Sequence, residues 1–310
     1  MQIRPPRLED GARIGVVSPS YWMEPDRLQR ALAVFAGAGY EMAIGESVGL
    51  RSHKFAGTPK ARAGDIMAMF ADDSIDAIVC ARGGYGANRV LPLLDYGVIR
   101  ENPKIFVGFS DVTGLLTSIS QRSGLVTFHG PMLSNWGRET VAWNLETFCR
   151  VLSGEAGVRI ASAPGCETRV LKPGIARGPL WGGNLSLLIE RLGTSGRIDT
   201  TGAVLLIEEV DERLHAFDRM MQQLRASGSL DGIAGLVLGE LLEMKDTDPP
   251  FGRAAEEIVL DACAGLEFPV IANFPCGHGA CQATLPVSHE VELHAVGASP
   301  FIMVPGSPVS

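Results

Sequence analysis

Three residue types that together can activate a nucleophile stand where apolar stretches of the sequence stop. Ser110 ends the stretch KIFVGFS, Glu208 ends AVLLIE, and His278 follows PVIANF in a glycine-rich turn. In a nucleophilic hydrolase, an imidazole accepts the hydroxyl proton, and an acid orients the imidazole and stabilises its positive form. A hydrolase that uses a serine, a histidine and a glutamate is therefore one candidate function.

Ser110 has two candidate roles, because a serine between a strand and a helix is commonly a helix N-cap. The nucleophile-elbow pattern G-x-S-x-G is half present: Gly108 precedes the serine, but Val112 occupies the second glycine position. The predicted helix that follows would bring free N–H groups, including that of Asp111, towards the oxyanion of a tetrahedral intermediate. Spacing alone leaves both roles open.

A second turn, Arg82-Gly83-Gly84-Tyr85-Gly86, also follows a predicted strand. It is not a dinucleotide fingerprint, because the third glycine position counted from Gly84 is Arg89, and no Lys-Ser/Thr pair follows as in a P-loop. This argues against a nicotinamide-dependent oxidoreductase. The glycines either permit positive φ angles or let the backbone approach a substrate and supply a second oxyanion donor.

Glu208 and Glu209 are adjacent, so on a strand their side chains point to opposite faces. Only one of them can face a given site, and both faces of the strand are apolar. The pattern does not choose between them. A structural role, such as capping the next helix or pairing with Arg213, is equally open.

Two cysteines and a histidine, Cys276, His278 and Cys281, have the residue types of metal ligands. A structural zinc site usually has four such ligands, commonly in two short-spaced pairs, and no second pair occurs. We therefore expect no metal. The six cysteines are scattered along the chain, which is typical of reduced, buried thiols.

The elements that must position these residues alternate in the first half between apolar strands and helical-period stretches. Such alternation, with continuously apolar strands, predicts a doubly wound α/β domain with a mainly parallel sheet. We expect this domain over 1–150, a linker rich in Gly, Pro and Ala over 151–175, and a smaller α/β domain over 176–310.

Composition limits the function classes. The 310 residues carry a formal net charge of −8, which argues against binding to nucleic acid or an anionic membrane. No apolar run approaches the ~20 residues that span a bilayer, and the first residues lack the apolar region of a secretion signal. We expect a cytoplasmic enzyme or binding protein.

Several motifs occur together in family order: ARGGYGANRVLPLLD, VGFSDVTGLL, FHGPM, GGNLSLL, LLIEEVDERLHAFDRMMQQL and a late GHG. In these the chain resembles the LD-carboxypeptidases of serine peptidase family S66, which include murein tetrapeptide carboxypeptidases and microcin C self-immunity peptidases. The resemblance implies two α/β domains with the active site in the cleft between them. It also makes a homodimer plausible, and no metal or organic cofactor is needed.

Carried over by motif, the family's nucleophile falls on Ser110, its acid on Glu208 and its base on His278. The oxyanion donors fall on the backbone N–H groups of Asp111 and Gly84. The resemblance thus chooses Glu208 over its neighbour and makes Ser110 more than a cap.

The activity implied is hydrolysis of the amide between an L-centre and a C-terminal D-amino acid, releasing D-alanine from a recycled cell-wall tetrapeptide. One alternative is a microcin-type peptidase that cleaves aminoacyl-nucleotide conjugates, and another is a non-catalytic protein that binds muropeptides. Arg82 either binds the substrate carboxylate or forms a structural ion pair, and Trp181 either stacks on a base or packs in the core. We add Tyr85 and Asn184 as candidate substrate-binding residues.

Overall fold

The computed structural model describes residues 2–136 and 141–310, with nothing described of the side chain at 141. The chain forms two compact units. The first comprises Met1–Ala156, Ala283–Ser288 and Gly306–Ser310, and the second comprises Gly157–Gln282 and His289–Pro305. Two short segments near the carboxyl end thus return to the first unit, and the stretch expected to be a linker carries two strands of the second. These compact units are defined by contacts within the chain. The domain bounds expected from the sequence, 1–150 and 176–310, stay a prediction.

The first unit is built on a six-stranded sheet in the order β12-β5-β4-β3-β1-β2. Its strands are β1 Arg13–Val17, β2 Glu41–Ile44, β3 Ala77–Cys80, β4 Ile105–Gly108, β5 Thr127–His129 and β12 Leu285–Val287. The five strands β1 to β5 pair in parallel, and β12 pairs antiparallel with β5. The prediction of a doubly wound, mainly parallel sheet is confirmed, since the order 2-1-3-4-5 is that of a doubly wound fold.

The central strands of the first unit are apolar in sequence and buried in the structure. Every residue of β3 and β4 is buried, as expected for parallel strands covered on both faces. The helices are α1 Pro25–Gly37, α2 Pro59–Ala71, α3 Tyr96–Glu101, α4 Thr113–Ser123 and α5 Val141–Leu152. Because β3 and β4 are neighbours, the two turns that follow them leave the sheet side by side at its carboxyl edge.

The second unit contains a mixed eight-stranded sheet in the order β6-β14-β13-β8-β9-β10-β11-β7. The strands are β6 Val158–Ile160, β7 Arg169–Lys172, β8 Gly174–Asn184, β9 Val204–Val210, β10 Gly235–Leu242, β11 Val270–Ala272, β13 Glu290–Ala295 and β14 Phe301–Val304. The central strands β8 to β11 are parallel, and the outer pairs are antiparallel. The expected α/β fold of this unit is confirmed.

One face of this second sheet is covered by α6 Leu185–Arg191, α7 Leu214–Ala226 and α8 Ala255–Ala262. The buried positions of α7 recur at helical spacing and join a core that includes Leu205 and Ile207 of β9. Glu209 continues that side of β9, and Glu208 points to the opposite face. No helix among the described residues has the length and apolar character needed to cross a membrane.

Candidate active site

Ser110 lies in a strained turn directly after β4. Its φ angle is 60°, in the left-handed region that side-chain-bearing residues seldom adopt, and a short 3₁₀ turn over Ser110–Val112 leads into α4. Gly108, two residues earlier, packs so tightly on Val112 that an added Cβ would lie 2.6 Å from its side chain. This sharp strand-to-helix turn has the backbone form of a nucleophile elbow, although its second glycine position holds a valine.

The turn after β3 lies against Ser110. A Cβ added to Gly83 would lie 3.1 Å from Ser110 Cβ and 3.3 Å from its Oγ, so the glycine permits this close approach. Gly84 has a φ of 124° and packs beneath the ring of Tyr21, where a Cβ would lie 2.3 Å from the ring. Glycine is therefore needed at Gly84 and favoured at Gly83, where the main chain comes close to the Ser110 hydroxyl.

A buried carboxylate ties these two turns together. Asp111 accepts hydrogen bonds from Ser20 Oγ at 2.5 Å and from the Ala87 N–H at 2.8 Å. Arg62 is also buried, and its guanidinium donates to the carbonyl oxygens of Pro19 and Gly86. Burial lowers the pKa of Arg62, and the negative charge of Asp111 opposes that effect.

In the second unit, Glu208 and His278 form the central contact. Glu208 is fully buried on β9, and its Oε2 lies 2.8 Å from Nδ1 of His278. Its Oε1 has no hydrogen-bond partner in the part of the chain that the structure describes. A buried carboxylate oxygen left unpaired is costly, and such atoms are common at functional sites.

The charges around His278 favour its protonated form. Burial lowers the pKa of His278, but the hydrogen bond and charge of Glu208, together with the charges of Glu209 and Glu240, outweigh burial and raise it above the ordinary value. An imidazole held at Nδ1 by a carboxylate exchanges protons through Nε2. The arrangement can therefore serve as a general base whose positive form is stabilised.

Glu209 has a different set of partners. Its carboxylate accepts hydrogen bonds from Asn184 Nδ2, the Ser186 N–H and hydroxyl, and the Val210 N–H. These groups anchor the start of α6. The choice that the strand pattern left open is thus resolved by geometry: Glu208 contacts the imidazole, and Glu209 supports a helix.

Comparison with protein families matches both parts of the chain. Residues 14–130 match the LD-carboxypeptidase N-terminal domain, and residues 177–293 match the LD-carboxypeptidase C-terminal domain of peptidase family S66. The chain belongs to the LD-carboxypeptidase family. The resemblance found in the motifs is confirmed, and the family makes the chain a serine-type hydrolase.

Individual relatives agree with the LD-carboxypeptidase assignment. A putative carboxypeptidase of Streptomyces coelicolor is 38% identical over 298 residues, which is 94% of each chain. A probable murein peptide carboxypeptidase of Bacillus subtilis is 33% identical and covers 95% of this chain and 92% of its own. A solved structure of the microcin C7 self immunity protein MccF with aspartyl sulfamoyl adenosine has a TM-score of 0.90 at 25% identity, covering 99% of this chain and 100% of its own.

The four candidate substrate-binding residues of this LD-carboxypeptidase lie in two places. Arg82 donates to the Trp22 carbonyl at 3.4 Å and lies over the ring of Tyr21, while Tyr85 is 44% exposed. Trp181 lies within β8. Asn184 is buried, accepts from the Leu187 N–H as the N-cap of α6 and donates to a glutamate of β9. Their roles towards a substrate stay predictions.

Sequence reasoning missed two carboxylates in this LD-carboxypeptidase. The side chain of Asp111 was overlooked because only its N–H was considered. Glu240 near the end of β10 accepts a hydrogen bond from the Gly279 N–H, beside His278. The signal for Glu240 was present, since it follows the apolar stretch IAGLVLG just as Glu208 follows AVLLI.

The two thiols near His278 lie in the interior. Cys276 and Cys281 are buried, and burial raises the pKa of both. Within 2–136 and 141–310, no group of three or more His, Cys, Asp or Glu side chains is arranged to hold a metal ion.

Proposed function

We propose that this chain is a serine LD-carboxypeptidase in which Ser110 is the nucleophile, His278 the general base and Glu208 the orienting acid. The observation that carries the proposal is the 2.8 Å contact between Glu208 Oε2 and His278 Nδ1. It holds the imidazole in the tautomer that accepts a proton at Nε2. The left-handed turn at Ser110 supports the assignment of the nucleophile.

The reaction requires the hydroxyl and the imidazole to meet in one active site. Ser110 Oγ attacks the carbonyl carbon of the scissile amide as its proton passes to His278 Nε2. The N–H groups of Asp111 and Gly84 donate to the oxyanion. The imidazolium then protonates the departing amine, and water attacks the acyl-enzyme with His278 again as base, which frees the acid and restores Ser110.

The proposed substrate is a murein tetrapeptide that loses its C-terminal D-alanine. The 33% identity to a probable murein peptide carboxypeptidase over nearly the whole chain supports this choice. We propose the cytoplasm as the location of this protein and, from the family resemblance, a homodimer as its working form. No cofactor is needed, because a serine, a histidine and a carboxylate supply the whole acyl-transfer chemistry.

The test is incubation with a defined L-alanyl-γ-D-glutamyl-meso-diaminopimelyl-D-alanine, monitored by mass spectrometry for loss of D-alanine. We expect turnover by the wild type and a loss of about three to six orders of magnitude in kcat for Ser110→Ala. A serine-directed acylating probe should label the wild type, with labelling abolished in Ser110→Ala and strongly reduced in His278→Ala. A Ser110→Ala protein that still released D-alanine at the wild-type rate would contradict the proposal.

A second candidate is cleavage of aminoacyl-nucleotide conjugates. It is supported by the likeness to MccF solved with aspartyl sulfamoyl adenosine. Incubation with aspartyl sulfamoyl adenosine under the same conditions separates the two candidates. Release of the nucleotide without turnover of the tetrapeptide would favour this second function, and turnover of neither would favour a binding protein.

A further inference from the structure

Glu240 stands next to the turn that carries His278. It lies on β10, which pairs with β9 but changes register between Leu238 and Leu241. Its side chain is only 9% exposed. The irregular register lets the residue leave the regular ladder and face the turn.

Two contacts from this one residue hold the turn on both sides of His278. The Glu240 N–H donates to the Cys276 carbonyl at 3.0 Å, and Oε2 accepts from the Gly279 N–H at 3.1 Å. Gly239 permits the approach, because a Cβ there would lie 2.6 Å from the Cys276 oxygen. Glu240 therefore fixes the backbone on both sides of His278, and Glu208 fixes the imidazole itself.

The groups that face Glu240 come from three segments: Glu208 from β9, Cys166 from the stretch before β7, and Cys276, His278 and Cys281 from the turn. The pKa of Glu240 is raised to about 7 in all: burial is the largest cause and the negative charge of Glu208 adds to it, while the Gly279 N–H, His278 and Cys166 act in the opposite direction. Burial also raises the pKa of all three thiols, that of Cys166 to about 12. The thiols therefore stay neutral near pH 7.

We propose that Glu240 is a positioning residue of this active site: its carboxylate fixes the turn through Gly279, and its negative charge adds to those of Glu208 and Glu209 in favouring the imidazolium of His278. The inference rests on the proposed role of His278 as the base. Glu240 acts through the histidine and its turn, and it makes no contact with the reacting atoms in this scheme. The Glu240 carboxylate takes up its proton near neutral pH. Its electrostatic attraction to the His278 imidazolium therefore weakens as the pH falls.

The two contributions can be separated by two substitutions. Glu240→Gln keeps an oxygen acceptor for the Gly279 N–H and removes the charge, whereas Glu240→Leu removes both. The matched control is Glu243→Gln on an exposed carboxylate of the same segment, where solvent screens the charge. The wild type and the three variants are labelled at histidine with ¹⁵N, and His278 is assigned from the signal missing in His278→Gln.

We expect the midpoint of the His278 titration to fall by about a few tenths of a pH unit in Glu240→Gln and to stay unchanged in Glu243→Gln. In kinetics, the acid limb of kcat/KM should shift the same way, and Glu240→Leu should lower kcat about 10–100-fold with little change in KM. A His278 titration in Glu240→Gln that coincides with the wild type overturns the inference. The titration needs no substrate, so this result is separate from a failure of the proposed hydrolysis.

Discussion

At the scale of single residues, two adjacent glutamates of the same strand have different partners and different consequences. Glu208 is held against an imidazole and keeps one oxygen without a hydrogen bond among the described residues. Glu209 accepts four hydrogen bonds from the start of α6 and its own strand. The proposed catalytic acid is the first, and the second stabilises the start of α6.

Substitution of each glutamate by glutamine should therefore give opposite results. Glu208→Gln is expected to lower kcat about 10²–10⁴-fold, because the amide no longer fixes the tautomer or stabilises the imidazolium. Glu209→Gln is expected to change kcat less than about 10-fold and to lower the free energy of unfolding by about 1–3 kcal/mol. Steady-state kinetics and thermal unfolding of both variants provide the measurement. Equal rate losses in the two would contradict the assignment.

At the scale of elements, Asp111 connects the turns that follow β3 and β4. These turns carry the proposed oxyanion donors and nucleophile, so their relative position decides whether a tetrahedral intermediate can be stabilised. Parallel neighbouring strands bring the turns to one edge, and the buried carboxylate joins them by accepting hydrogen bonds from Ser20 and Ala87. The side chain of Asp111 thus has a role separate from that of its N–H.

Asp111→Ala keeps that N–H but leaves two buried donors without their acceptor. We expect the free energy of unfolding to fall by about 2–4 kcal/mol and kcat to fall about 10–100-fold, with partial recovery in Asp111→Asn. The matched control is Asp95→Ala, which removes the exposed N-cap of α3 and should cost only about 1 kcal/mol with kcat unchanged. A folded Asp111→Ala protein with wild-type kcat would refute the connecting role.

At the scale of the whole molecule, the buried carboxyl of Glu240 links folding to pH. Its pKa in the folded chain is about 7, above the ordinary value of 4.5. A group whose folded pKa is raised contributes stability below its unfolded pKa, and that contribution is lost as the pH rises through the folded value. The window in which this group changes stability therefore runs from about pH 4.5 to about pH 7.

Wild type and Glu240→Gln should differ accordingly. As the pH rises across that window, the wild type is expected to lose about 1–3 kcal/mol of stability relative to the variant, which corresponds to several degrees in Tm. Thermal unfolding of both proteins at a series of pH values from 4.5 to 8.5 measures the difference. Parallel curves for the two proteins would show that Glu240 ionises in the folded chain at its ordinary pKa.

The amino-acid sequence by itself determined the local features of this protein. Continuously apolar runs such as AIVC and IFVG suffice to predict parallel strands, because burial on both faces leaves no polar position. Polar residues at the ends of such runs identified Ser110, Glu208 and His278 as candidates, and the motifs identified the family. The meeting of Ser110 with His278 stays a prediction.

Only the tertiary structure decided which groups touch across long separations in sequence. Glu208 and His278 are 70 residues apart, and strand alternation gives two faces without saying which one α6 and α7 cover. The same holds for Glu240 beside Gly279 and for β12 pairing with β5. Such contacts depend on the packing of elements that are distant in the chain, and packing is a property of the folded chain as a whole.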